Sequence, residues 1–212
     1  MKITIIYDNT AFRPDLKPDW GFSALVETEN HHILFDTGTD GSILLENMNK
    51  LDIDPSTVDE VFISHNHFDH VGGLPAFLNE NSDVRIYAPV SLKKVQHAKD
   101  LIRLGEPAKL HDHVYSTGEL DHIEQSMAVE TERGLVLIVG CSHPKMKHIL
   151  DAASQFGKIF AIIGGMHGFK AYELFRDLDL VCPTHCTQHI KEIRSHFPDK
   201  YTEGGDGRII EI

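Results

Sequence analysis

The chain has 212 residues, 41% hydrophobic and 25% charged, the composition of a water-soluble chain with enough apolar mass for one compact core. Its net charge of −12 argues against a nucleic-acid footprint and against docking on an anionic membrane. Three cysteines, Cys141, Cys182 and Cys186, form no CxxC pair, so no disulfide framework is expected and all three read as small buried residues.

The elements alternate after a β-rich opening. "KITIIYD" is a strand closed by Asp8 and Asn9, for which a turn role and a place near a site are both open. "FSALVET" and "HHILFDTG" read as a hairpin about the polar turn "EN". "SILLENMNKL" has helical spacing, with Ser42 or Asp40 as its cap. "DEVFISH" is a strand, "VGGLPAFLNEN" a helix opened by glycines, "DVRIYAP" a strand and "SLKKVQHAKDLI" a helix. Residues 104–122 are mixed. "SMAVETERGLVLIVGCSH" reads as two strands joined by a tight turn at Glu132 to Gly134. Then come the helix "MKHILDAASQF", the strand "KIFAIIGGMHG", the helix "AYELFRDLD", the strand "LVCPTH" and the helix "QHIKEIRSHF". "GGDG" turns the chain into a last strand, "RIIEI". No linker or low-complexity segment interrupts this order, so residues 1–212 are expected to form a single domain with a two-sheet core covered by helices. "MKITIIYDNT" lacks the apolar region of a signal peptide, and no apolar run approaches the roughly 20 residues that span a bilayer; the expected location is the cytoplasm.

Histidine is over-represented at 15 residues. His31, His32, His97, His111, His113, His122, His148, His189 and His196 read as surface residues. The others follow a pattern. Four apolar runs end directly in a histidine: "VFIS" in His65, "LVLIVGCS" in His143, "IFAIIGGM" in His167 and "LVCPT" in His185. Strand C-termini gather along one edge of an α/β sheet, so four such ends are able to deliver their imidazoles to one place. In "HNHFDH", His65 and His67 alternate as ligands do on extended chain, and Asp69 and His70 lie in the loop that follows. Imidazoles with a carboxylate suit Zn²⁺, Mn²⁺ or Fe²⁺, and two such ions activate a shared water and hold a phosphoryl or carbonyl oxygen.

"HNHFDH" is a complete H-x-H-x-D-H motif and resembles the signature of the metallo-β-lactamase superfamily. "ILFDTG", "GCSH" and "PTHCT" resemble its other motifs, in order along nearly the whole chain. With "GGMH", the combination is similar to the subgroup of 7,8-dihydropterin-6-methyl-4-(β-D-ribofuranosyl)-aminobenzene-5′-phosphate synthases. The resemblance implies an α/β fold, a four-layer αββα sandwich with one or two ions, zinc first among them, at one edge between the sheets. Carried over, His65, His67 and His143 hold the first metal, and Asp69, His70 and His185 the second. Asp36 stands behind a ligand histidine or behind the loop that bears the cluster. Most dinuclear members carry a bridging Asp after the strand that here ends "IIGGMHG"; this chain has no carboxylate there, so His167 either completes the second site or faces the substrate. The implied activity is a metal-dependent hydrolase of a small, phosphorylated or ester substrate, with Asp69 orienting water and His167 as general acid. The alternatives are a transferase that condenses a pterin diphosphate with an arylamine ribose phosphate, and a non-hydrolytic metal- or redox-sensing protein. A small molecule is the expected partner; the oligomeric state is left open.

Overall fold

The computed structural model describes every residue except Lys94, Gln96 and His97. Strands β1 (Lys2–Tyr7), β2 (Ser23–Glu27), β3 (His32–Phe35), β4 (Glu60–Phe62), β5 (Arg85–Pro89) and β6 (Asp100–Leu104) build one sheet. Strands β7 (Ala108–His111), β8 (Val114–Ser116), β9 (Met127–Thr131), β10 (Gly134–Val139), β11 (Ile159–Gly165) and β12 (Leu180–Thr184) build the other, and β13 (Ile209–Glu211) returns to the first. Among the described residues the sheet orders are β13-β1-β2-β3-β4-β5-β6 and β12-β11-β10-β9-β8-β7.

The alternation of side chains across each pleat decides the layers. One face of the first sheet, with Ile3, Ile5, Phe35 and Phe62, meets one face of the second, with Val136, Ile138, Phe160 and Ile163, in a shared apolar core. The opposite face of the first sheet packs Ile6, Leu34, Val61 and Ile86 against helices α1 (Gly41–Lys50) and α3 (Leu74–Glu80). The opposite face of the second packs Leu137, Ile162 and Val181 against α4 (Met146–Ser154) and α5 (Ile190–His196). The molecule is therefore the αββα sandwich that the motifs imply.

Local signals explain most boundaries. Asp40, not Ser42, caps α1: its Oδ1 accepts from Ser42 N at 2.7 Å and satisfies a helix-start amide. The hairpins β2–β3 and β9–β10 are antiparallel as their turns require. Two expectations change. The helix after "GGMH" shortens to a 3₁₀ turn, Tyr172–Phe175, whose rings serve the outer face of the second sheet. The helix expected over 91–102 is not what its end adopts: Asp100–Leu104 is β6, parallel to β5, and the backbone pairing outweighs helical spacing. Lys94, Gln96 and His97 of that stretch, and with them the surface reading of His97, lie outside the described residues. The mixed region 104–122 supplies the short strands β7 and β8.

The topology points the strand ends. Strands β10, β11 and β12 are parallel neighbours, so their C-termini share one edge. Strands β3, β4 and β5 are parallel in the facing sheet. Asp36 and His65 follow β3 and β4; His143, His167 and His185 follow β10, β11 and β12.

Candidate metal centre

His65, His67 and His143 form one group. His65 Nε2 lies 3.1 Å from His67 Nδ1 and 3.2 Å from His143 Nε2. Asp69, His70, Cys141 and His185 form a second, with their donor atoms within 4.8 Å of one another. The groups adjoin: the His65 and His70 rings are 4.1 Å apart between centroids. His167 stands beside the first group, its ring 4.6 Å from that of His143. All the histidines and the aspartate expected from the sequence thus meet at one edge. Asp69 and His70, expected in a loop, instead stand on a single helical turn, α2 (Phe68–Val71). The double glycine that follows lets this turn press onto the β3–α1 loop. A Cβ at Gly72 would collide with Thr39 O, and one at Gly73 with Thr37 O.

Asp36 is fully buried behind both groups, with a left-handed φ of 54°. Its Oδ1 accepts from Ser64 N at 2.7 Å; its Oδ2 meets Ser64 Oγ at 2.6 Å and His70 Nδ1 at 2.7 Å. Proton placement follows. The carboxylate holds a proton on His70 Nδ1, leaving Nε2 to face the site. Ser64 Oγ donates to Asp36, so it accepts from His65 Nδ1 at 2.9 Å, and His65 Nε2 is likewise bare. One carboxylate sets the tautomer of a histidine in each group.

Asn9 does the same for His185. Its Nδ2 donates to His185 O at 2.9 Å, which fixes the amide orientation and turns Oδ1 towards His185 Nδ1 at 3.0 Å. His185 Nδ1 therefore carries the proton. Its bare Nε2 faces Asp69 Oδ2 at 3.2 Å without a hydrogen-bond geometry between them. Asp8 Oδ1 accepts from His185 N at 2.8 Å. Glu124 holds the third motif in the same manner: Oε1 accepts from the amides of Gly140, Cys141 and Ser142 at 3.1, 3.0 and 3.0 Å, and Oε2 from His143 N at 2.8 Å.

These contacts test whether a metal ion fits. The bare Nε2 of His65 faces ring nitrogens of both His67 and His143, and the bare Nε2 of His185 faces a carboxylate oxygen of Asp69. Pairs of acceptors so close call for a cation, and imidazole with carboxylate is the donor set of a divalent transition metal. His167 Nε2 is also buried without a partner. The residues fit the group.

The titration of the site follows from burial and charge. Burial, then the neighbouring imidazoles, push His65 far below the usual histidine range. Burial and His167 lower His143 to about 4. Burial lowers His167 and His185 as well. Burial opposes a charged His70, but Asp36 beside it wins and raises it. Burial acts to raise Asp69, and the contacts with His185 and His70 outweigh it, holding Asp69 low. His65, His143 and His185 stand ready as neutral ligands and Asp69 as an anion, while Asp36 favours the protonated form of His70.

Several contributors had little sequence signal. Glu124 lies just after the mixed region and before the strand "SMAVET", and its role depends on a loop folded around it. Trp20 is 56% exposed, yet its Nε1 donates to Asp69 Oδ2 at 2.8 Å. Ser64 precedes the motif and only its contacts reveal it. Cys141, read as a small buried residue, is buried but has its Sγ 3.2 Å from His70 Nε2. Away from this edge, His31 and His111, read as surface residues, are half-buried and stacked 3.8 Å apart, with His111 Nε2 2.6 Å from Glu60 Oε1. Strain also marks the centre: Ser142, His167 and His185 have φ of 60°, 40° and 49°.

Comparison with known proteins agrees with this architecture. Residues 17–153 match the metallo-beta-lactamase superfamily domain, and the chain belongs to that superfamily. It is 27% identical to the 7,8-dihydropterin-6-methyl-4-(beta-D-ribofuranosyl)-aminobenzene-5'-phosphate synthase of Methanocaldococcus jannaschii, over 99% of this chain and 95% of the relative. That alignment runs over 280 positions against 212 residues here, so the relative carries insertions that this chain lacks. Ribonuclease Z of Streptococcus uberis is 29% identical over 56% of this chain and 39% of its own length. Among solved structures, a metal-dependent hydrolase of the beta-lactamase superfamily superposes with a TM-score of 0.82 at 24% identity, covering 100% of this chain and 99% of the other. Among the described residues, no helix is long and apolar enough to cross a membrane.

Proposed function

We propose that this protein is a metal-dependent hydrolase of a small phosphorylated or ester substrate, with zinc as the first-choice ion. The observation that carries the reading is the convergence of bare imidazole nitrogens and the Asp69 carboxylate at one sheet edge. When bound, a divalent ion supplies a Lewis acid and lowers the pKa of water towards neutrality. His65, His67 and His143 hold one ion; Asp69, His70 and His185 hold a second. Asp36 keeps His65 and His70 in the tautomers that leave Nε2 free. Asp69, anionic and tied to Trp20, orients the attacking water. His167 offers an unpartnered Nε2 beside His143 and delivers a proton to the leaving oxygen. Phe68, 70% exposed between His67 and Asp69, and Trp20 give the mouth of the site an apolar rim.

A His167→Gln variant tests the general-acid role. We expect unchanged metal content and a fall in kcat of about 10²-fold or more on substrates with poor leaving groups, with little change on activated ones. Equal losses on both would refute it.

A second reading is favoured by the near-full-length likeness to the synthase: transfer of a pterin diphosphate to an arylamine ribose phosphate with release of pyrophosphate. The same residues would then hold the diphosphate through the ions. Product analysis in ¹⁸O-water separates the two, because hydrolysis incorporates solvent oxygen and condensation with an amine does not. The insertions that this chain lacks favour the hydrolase.

A further inference from the structure

We infer that Cys141 is the fourth ligand of the second ion and takes the place of the carboxylate that "IIGGMHG" lacks. The inference rests on the metal reading above and goes beyond it: it assigns an anionic ligand and a preference among ions.

The end of β11 packs directly against the third-motif loop. A Cβ at Gly165 would lie 2.5 Å from Gly140 O and 2.7 Å from Cys186 Sγ. The third-motif loop and the Cys186 side chain thus close over Gly165 and bring Gly140 and Cys141 against the end of β11. The same crowding brings Cys141 forward. Glu124 Oε1 grips the amides of Gly140, Cys141 and Ser142, which fixes the backbone on both sides of the cysteine. Its Sγ is set 3.2 Å from His70 Nε2 and within 4.8 Å of the donor atoms of Asp69 and His185. Two nitrogens, one carboxylate oxygen and one sulfur from three separate strand ends make a four-coordinate set of a kind zinc accepts.

Charge completes the argument. Within its own ligand set a dication at His70 and His185 has Asp69 as its one anion and keeps a positive charge, since Asp36 stands outside that set, behind His70. A thiolate neutralises it. On coordination the S–H bond breaks, the proton passes to solvent, and the sulfur electron pair is shared with the ion. Sulfur also selects: Zn²⁺, Co²⁺ and Fe²⁺ are retained at this position over Mn²⁺ and Mg²⁺. Cys186 is the rival sulfur, since it is buried, approaches Cys141 O at 3.7 Å, and shares with Cys141 and His167 a separate cluster of donor atoms. Cys182 lies in the core between the sheets and is the control.

The experiment is titration of metal-freed full-length protein with Co²⁺ under reductant. The readouts are binding stoichiometry, the visible ligand-field bands and the near-ultraviolet sulfur-to-cobalt charge-transfer band. We expect two ions bound and the charge-transfer band in the wild type. The band should persist in Cys182→Ser and Cys186→Ser and vanish in Cys141→Ser, with at least about tenfold weaker binding of one ion and the other unchanged. Cys141→Asp should recover that binding without the band. Two ions bound by the wild type with no sulfur band would overturn the inference and leave the metal reading standing. A band lost in Cys186→Ser but kept in Cys141→Ser would also overturn it, assigning the ligand to Cys186. No cobalt binding at all would sink both. If Cys141→Ser fails to fold, a wild-type band that persists in both Cys182→Ser and Cys186→Ser still assigns the sulfur to Cys141, and a wild type without the band overturns the inference.

Discussion

The two halves of the centre are built differently. The His65, His67 and His143 half is three imidazoles without a carboxylate; Ser64 Oγ meets the His65 ring, and Glu124 holds the backbone of the third member and touches no ring. The Asp69, His70 and His185 half has its rings held directly, by Asp36 on His70 and by Asn9 on His185, and carries Asp69 itself. The first half resembles a neutral trap, the second an anionic cradle. An ion in the first half depends mainly on ligand count, with one relayed support from Asp36 through Ser64, while one in the second depends on the polar groups that touch its ligand rings directly.

The largest expected effect comes from removing a ligand that both halves share through their contacts. His65 lies between His67, His143 and His70. We expect His65→Ala to lose about one ion per chain and to reduce activity by more than about 10²-fold, beyond what outer partners of a ligand typically cost. Metal analysis and turnover on the same preparation measure it. Wild-type turnover from metal-poor His65→Ala would break the hydrolase reading.

Asp36→Asn comes next. Asparagine removes the carboxylate that serves Ser64 and His70, so both halves should lose affinity, by about 10- to 100-fold. An orphaned buried donor should also cost about 1–3 kcal/mol of stability. Competition with a chelator and denaturant titration give the two numbers. Loss from one half only would show that the Ser64 link to His65 carries nothing. Asn9→Ala separates the halves: we expect about tenfold weaker binding of the second ion and no change in the first.

The strand ends were legible because each apolar run stops at its histidine, and parallel pairing leaves only one edge for those ends. The first motif was legible down to Gly72 and Gly73, though not its helical turn, because four residues are too few for a period to show. The long-range supports were not legible. Glu124 reaches across 19 residues to His143, and Asn9 reaches 176 residues to His185; nothing local in "HIEQS" or "YDNT" encodes those meetings. Asp100–Ile102 misled because helical spacing and a half-buried edge strand draw on the same residues, and pairing with β5 decides between them.

The smallest expected effect tests the carboxylates behind the two halves, and it separates a satisfied one from an unsatisfied one. Glu124 is buried but accepts four amides. Asp206, behind Asp8, is also buried, and neither of its side-chain oxygens has a partner. Burial, then the charge of Asp8, push Asp206 up from 3.8 to about 8; burial pushes Asp8 to about 6. A carboxyl whose pKa is higher folded than unfolded favours the folded state while it is protonated. Its contribution is fully present below about pH 4 and is lost as pH rises through about 8. An amide of the same shape has no charge to bury. Asp206→Asn should therefore gain stability on the wild type as pH rises from about 5 to about 9, read as a widening difference in denaturation midpoint. Glu124→Gln should instead be destabilised throughout that range, because one of its two amide-accepting oxygens becomes a donor facing donors. A constant gap between Asp206→Asn and the wild type would mean that Asp206 meets solvent or a cation, and that the second half is not backed by an uncompensated charge.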